Sequence, residues 1–215
     1  LHDALPISHS NNSFDSKSTI IDMCKSAIKN NITDIAFTEH FSIDNNKKTY
    51  GHINFCKYNE DIKEAKNLFG DKLNIYTGLE ICEPHENPNE LKSHLCNLNF
   101  DFILGSVHNI ENVGHRALCT KFDKYTVYNM YFEEVLKLVS IGDFDIAAHL
   151  DLMNRYAFNT LGNYNFYDYF DILKTILNKL IYRGIGIEIN TSGLRNSLND
   201  IHPKVEILKL YKSLG

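Results

Sequence analysis

Short β-branched runs alternate along the chain with longer segments whose apolar residues recur at helical spacing. Such alternation predicts βα units and a mainly parallel sheet or barrel. The predicted strands are 34–38, 73–78, 102–107, 145–148 and 186–189. Helical stripes lie between them. Within 17–31, Ile20, Cys24, Ala27 and Ile28 fall on one face, with Asp15 or Ser16 available to cap the helix start. Similar stripes run through Tyr58, Ile62, Ala65 and Phe69, through Tyr128, Phe132, Val135 and Val139, and through Phe166, Phe170, Leu173, Leu177 and Leu180. All of these faces are expected to be core. No internal repeat interrupts the pattern, and the Asn-rich stretches at 45–48 and 86–90 are expected to be solvated loops.

Composition adds bounds to this picture. With 215 residues, 43% of them hydrophobic and 23% charged, the chain can bury one sizeable core, so a single domain is expected. It has no run of about 18 apolar residues and no basic start followed by an apolar stretch, which argues against a membrane partner or a secretory signal and for a cytoplasmic location. Cys24, Cys56, Cys82, Cys96 and Cys119 are scattered and odd in number, the pattern of reduced thiols rather than a disulfide framework. The net charge is −5 and no Lys/Arg cluster tracks a phosphate backbone, so nucleic acid is not expected as a partner. Only four arginines occur: Arg116, Arg155, Arg183 and Arg195.

Candidate chemistry lies at the ends of the predicted strands. Thr38-Glu39-His40, Glu80, His108, His149 and Asn190 each follow one of them. Carboxyl ends of parallel strands in a barrel converge on one face, where active sites sit. A lone histidine there is more often a hydrogen-bonded core residue, but three at equivalent positions with a carboxylate form a donor set suited to zinc, iron or manganese. Near the start, His9-Ser10-Asn11-Asn12-Ser13-Phe14-Asp15 resembles the first motif of the PHP (polymerase and histidinol phosphatase) family, H-x-H-[ST]-x-x-S-x-D. Thr38-Glu39-His40, Gly78-Leu79-Glu80, Gly105-Ser106-Val107-His108 and Ala148-His149-Leu150-Asp151 are similar to the later family motifs, in order.

The resemblance implies an α/β fold, a distorted seven-stranded (β/α) barrel of PHP type, incomplete at both ends, occupying 9–215, with 1–8 a foreign or unstructured segment. It also implies a three-metal cluster of zinc, iron or manganese, with His9, Asp15, His40, Glu80, His108 and His149 as the ligands present here. Ile7 occupies the place of the motif's first histidine, and the family's last motif, an Asp-x-His after a final strand, is expected beyond Gly215. The segments 149–156 and 188–195 are similar to the histidinol-phosphatase branch, which implies hydrolysis of L-histidinol phosphate to L-histidinol and phosphate. Arg155 and Arg195, each a few residues past a strand end, are the candidate phosphate clamp; a pair of ordinary surface arginines is the alternative. His202 is by resemblance the proton donor to the leaving alcohol, and by sequence alone equally a surface residue before Pro203. Arg183 is expected to be solvated. The competing functions are a phosphoesterase acting on another small ester or on nucleic acid, an amidohydrolase, and a noncatalytic metal-binding remnant.

Overall fold

Two strands in the first half of the chain are buried at nearly every position, as strands covered on both faces are. In the computed structural model, which describes residues 7–215, these strands are β2 (Asp34–Phe41) and β3 (Asn74–Cys82). They follow β1 (Ile7–Ser8) and alternate with α1 (Ile20–Lys29) and α2 (Phe55–Phe69). After them come α3 (Pro88–Leu95), β4 (Phe102–Ser106), the hairpin β5 (Asn109–Ile110) and β6 (Val113–Gly114), and α4 (His115–Lys121). The remainder is α5 (Lys124–Ile141), β7 (Ile146–Ala147), α6 (Met153–Leu161), α7 (Phe170–Arg183), β8 (Gly186–Ile187) and α8 (Val205–Leu214). The chain divides into two compact units, the described part of 1–82 with 89–104, and 83–88 with 105–215. Each is described by itself.

In the first unit β1, β2 and β3 run parallel, with Ile7 opposite Ala36 and His40 opposite Glu80. One face of these strands packs Ile35, Phe37 and Ile75 against Ile20, Cys24 and Ala27 of α1 and Tyr58, Ile62 and Ala65 of α2. A second cluster buries Phe41, Leu79 and Ile81 with Leu91 of α3. Tyr58 is fully buried, and its hydroxyl donates to the carbonyls of Phe37 (2.8 Å) and Gly78 (3.1 Å), tying α2 to both strands. Gly78 is required by close approach, because a Cβ there would lie 2.9 Å from the Phe102 carbonyl oxygen. In the second unit β7 and β8 are parallel, and an aromatic core of Tyr128, Phe132, Tyr164 and Tyr169 fills the space between α5 and the segment before α7.

The expected helical faces are buried: Ile20, Cys24 and Ala27; Tyr58, Ile62 and Ala65; Tyr128, Phe132, Val135 and Val139; Leu173, Leu177 and Leu180. Several expectations need correcting. Thr19 caps α1, its side chain accepting from the Asp22 amide at 3.1 Å, whereas Asp15 turns toward His40. β2 and β3 run past their expected ends, so His40 and Glu80 lie within strands, paired across the ladder. Arg183 is exposed, as expected, and in addition donates to the Val139 and Gly142 carbonyls at 2.8 and 2.6 Å, satisfying the end of α5. Residues 1–6 of the expected 1–8 segment lie outside the described residues, and Ile7–Ser8 pair as β1. All five cysteines are free thiols.

Candidate metal and phosphate sites

Parallel pairing in register places His40 and Glu80 side by side, and the segment after β1 lays His9 over them. The His9 and His40 rings stack with centroids 4.3 Å apart. His9 Nδ1 donates to the Thr38 carbonyl at 2.7 Å, which turns Nε2 toward Glu80 Oε2 at 3.3 Å. His40 Nε2 lies 3.4 Å from Asp15 Oδ2, and its Nδ1 lies 3.8 Å from Glu80 Oε1. Asp15 is steadied by the Ser13 hydroxyl at 2.9 Å. Glu39 faces elsewhere, accepting from the Ser10 amide and from its hydroxyl at 2.6 Å.

Ligand atoms of His9, His40 and Glu80 all lie within 4.8 Å of one another. Two donors each about 2.1 Å from a tetrahedral ion stand about 3.4 Å apart, so the imidazole–carboxylate spacings are those of groups sharing a cation. Electrostatics agree. Burial acts to lower the His9 pKa, but the hydrogen bond and charge of Glu80, with Asp15 and Glu39, outweigh it and push the ring up to about 9. Burial likewise acts to raise Asp15, yet His40, His9 and Ser13 hold it well below the usual carboxylate range. The cluster therefore demands positive charge, and its nitrogen and oxygen donors fit a divalent metal ion.

The second unit carries the remaining two histidines of the expected ligand set, His108 and His149. The His108 and His149 rings are 5.1 Å apart. Glu83, at positive φ (50°), accepts from the His108 backbone amide and from the Asn109 amide at 2.8 Å, and so fixes the chain where His108 emerges. His149 also has positive φ (24°), a conformation that must be held by its surroundings. Its amide donates to Glu188 Oε2 at 2.8 Å, and Asn190 steadies the other Glu188 oxygen at 2.9 Å.

Arg155 extends one guanidinium nitrogen to Ser192 Oγ (2.8 Å) and the other to Tyr156 Oη (2.7 Å). Arg195 is exposed on the turn Ser192–Arg195. His202 is fully buried, with Nδ1 2.9 Å from Asp151 Oδ1. Asp151 also accepts from Tyr164 Oη at 2.8 Å and the Lys204 amide at 3.2 Å. Among the described residues His202 Nε2 has no hydrogen-bond partner, and a Cβ on Gly193 would come within 3.0 Å of it. Sequence reasoning singled out His202 and Arg155 but missed the groups that hold them: Asp151, Ser192 and Tyr156. Of these, Asp151 had a sequence signal, since it follows His149 within a quoted motif.

His115 is a buried histidine outside the expected set. Burial, then the charges of His149 and Arg155, push its pKa down to about 3. The unfolded chain takes up this proton first, so stability falls as pH drops from 6.5 toward 3, by up to about 1.4 kcal/mol per pH unit. His115→Phe should flatten urea midpoints across that window; midpoints that fall as steeply as the parent's would contradict a neutral buried ring.

Parallel-strand α/β units bearing clustered imidazole and carboxylate donors define a metal-binding α/β enzyme. The PHP domain model matches residues 8–192, and the chain belongs to that family. It is 30% identical over 206 residues to a Clostridium acetobutylicum protein named "Probable histidinol-phosphatase", covering 94% of this chain and 78% of that one. Identity to the histidinol-phosphatase of Lactococcus lactis is 28% over 188 residues, covering 85% and 69%. The crystal structure of the Lactococcus lactis histidinol phosphate phosphatase, complexed with zinc, L-histidinol and phosphate, superposes with TM-score 0.89 at 25% identity, covering 98% of this chain and 81% of that one. The expected PHP-type α/β fold is thus the fold observed.

Proposed function

We propose that the chain is a metal-dependent phosphomonoesterase that hydrolyses L-histidinol phosphate to L-histidinol and phosphate in the cytoplasm. The observation that carries this is the His9–His40–Glu80 cluster, with donor atoms at cation-sharing distances, in a chain similar along most of its length to histidinol-phosphatases. His9, Asp15, His40, Glu80, His108 and His149 would hold zinc, iron or manganese, up to three ions. When bound, such ions supply Lewis acidity and lower the pKa of water toward neutrality. The protein's own groups do the rest. Arg155, oriented by Ser192 and Tyr156, and Arg195 bind phosphoryl oxygens. His202 Nδ1–H donates to Asp151, and the imidazolium form of His202, carrying its second proton on Nε2, would give that proton to the leaving alcohol as the P–O bond breaks and water adds to phosphorus, returning the ring to neutral.

The test is phosphate release from L-histidinol phosphate by the full chain supplied with zinc or manganese, beside p-nitrophenyl phosphate and a single-stranded oligonucleotide. Preference for histidinol phosphate is expected, abolished by a chelator and restored by metal. Hydrolysis of p-nitrophenyl phosphate alone would move the assignment to another small ester, and release from none of the three would make the chain a noncatalytic metal binder.

A further inference from the structure

Two of the four arginines stand over one ring. The Cζ atoms of Arg155 and Arg116 lie 4.9 and 5.3 Å from the centroid of Tyr156. Arg116 was, by sequence, an unassigned residue, and it is exposed on α4. Among the described residues neither guanidinium forms an ion pair with a carboxylate, although acidic residues outnumber basic ones in this chain, 27 to 22. The third group on the ring, His115, packs edge-on at 5.2 Å, and an imidazole carries no negative charge in either protonation state, so it offers no counter-charge. Two cations held against one aromatic ring without an anion raise the local positive potential. Arg155 engages Ser192 and Tyr156, while Arg116 makes no described hydrogen bond, so most of their N–H donors are uncommitted.

We propose that Arg116 is a further phosphate-binding residue beside Arg155, and that Tyr156 is the positioning residue that gathers Arg116 and Arg155 so that one phosphate dianion neutralises both. The ligand class follows from chemistry: a tetrahedral dianion has enough oxygens to accept from two planar forks, and a monoanionic carboxylate balances only one charge. Arg155 is held in place by its hydroxyl partners. Arg116, exposed and on the same ring, reaches a shared anion by a change of rotamer. The proposal rests on the reading of Arg155 as a phosphate ligand.

The experiment is calorimetric titration of the full chain with inorganic phosphate, together with kcat and KM for L-histidinol phosphate at measured metal content. Arg116→Gln should weaken phosphate binding and raise KM by about tenfold, the size of one charge-assisted contact, with metal content unchanged and kcat nearly so. Arg116→Lys should recover part of the loss, and Tyr156→Leu should reproduce it by releasing both guanidiniums. If Arg155→Gln weakens phosphate binding while Arg116→Gln does not, Arg116 is a surface residue and the inference is overturned, with the Arg155 reading intact. If neither substitution weakens it, or the unsubstituted chain binds no phosphate, both fail together.

Discussion

Glu80→Gln should strip the first unit's cluster of metal and lower catalytic efficiency on histidinol phosphate by on the order of a thousandfold or more, the several kcal/mol that metal charge supplies to a phosphoryl transition state. Glu80 is the sensitive position because one carboxylate serves two imidazoles, with Oε2 3.3 Å from His9 Nε2 and Oε1 3.8 Å from His40 Nδ1. The substitution keeps the shape of the side chain in its buried strand but removes the charge that makes His9 and His40 a cation site. His40→Ala should act in the same direction by removing a donor. Metal content by elemental analysis, thermal melting of the metal-free protein and steady-state hydrolysis separate loss of metal from loss of fold. Full metal occupancy in Glu80→Gln would remove this carboxylate from the ligand set.

Much of this was legible in the sequence, for identifiable reasons. Long amphipathic segments announce themselves, because a fifteen-residue helix such as α2 repeats its buried face through Tyr58, Ile62 and Ala65. Three of the two-residue strands do not: β1, β5 and β6 are too short to show alternation, and only pairing with a neighbour defines them, whereas β7 and β8 lie within longer β-branched runs that mark them. Strand ends at His40 and Glu80 were misjudged because polar residues look like loop residues, although both are buried and continue the ladder. The division between units lacked any compositional sign, since one boundary falls between Leu104 and Gly105, inside β4.

The candidate site was legible in its histidines and not in its supports. His9, Asp15 and His40 could be named from their resemblance to the family's motifs, but that Thr38 orients His9 through a carbonyl depends on β2 and the 7–15 segment being adjacent. Glu83 carries no motif that marks it as a cap on the His108 and Asn109 amides, and its left-handed backbone is visible only in three dimensions. Ser192 and Tyr156 similarly look like ordinary polar residues until both are seen to grip the same guanidinium.

Arg155→Ala is expected to lower catalytic efficiency by roughly 30- to 1000-fold, the equivalent of about 2–4 kcal/mol of transition-state stabilisation, while metal content stays that of the parent. The guanidinium is half-buried, is held by Ser192 Oγ at 2.8 Å and Tyr156 Oη at 2.7 Å, and forms no described ion pair, so its charge is available to a phosphoryl group. Truncation removes that charge and leaves the Ser192 and Tyr156 hydroxyls without their partner, but touches no proposed metal ligand. Arg155→Lys should rescue only partly, because an ammonium keeps the charge and cannot grip two hydroxyls while presenting a planar fork to phosphate. Ser192→Ala should fall between the parent and Arg155→Ala, since it loosens the guanidinium without deleting it. The decisive comparison is metal stoichiometry against kcat/KM across the three variants. Unchanged kcat/KM in Arg155→Ala would make this arginine a structural tie between α6 and the turn at Ser192, and would leave metal assembly as the part of the site that survives.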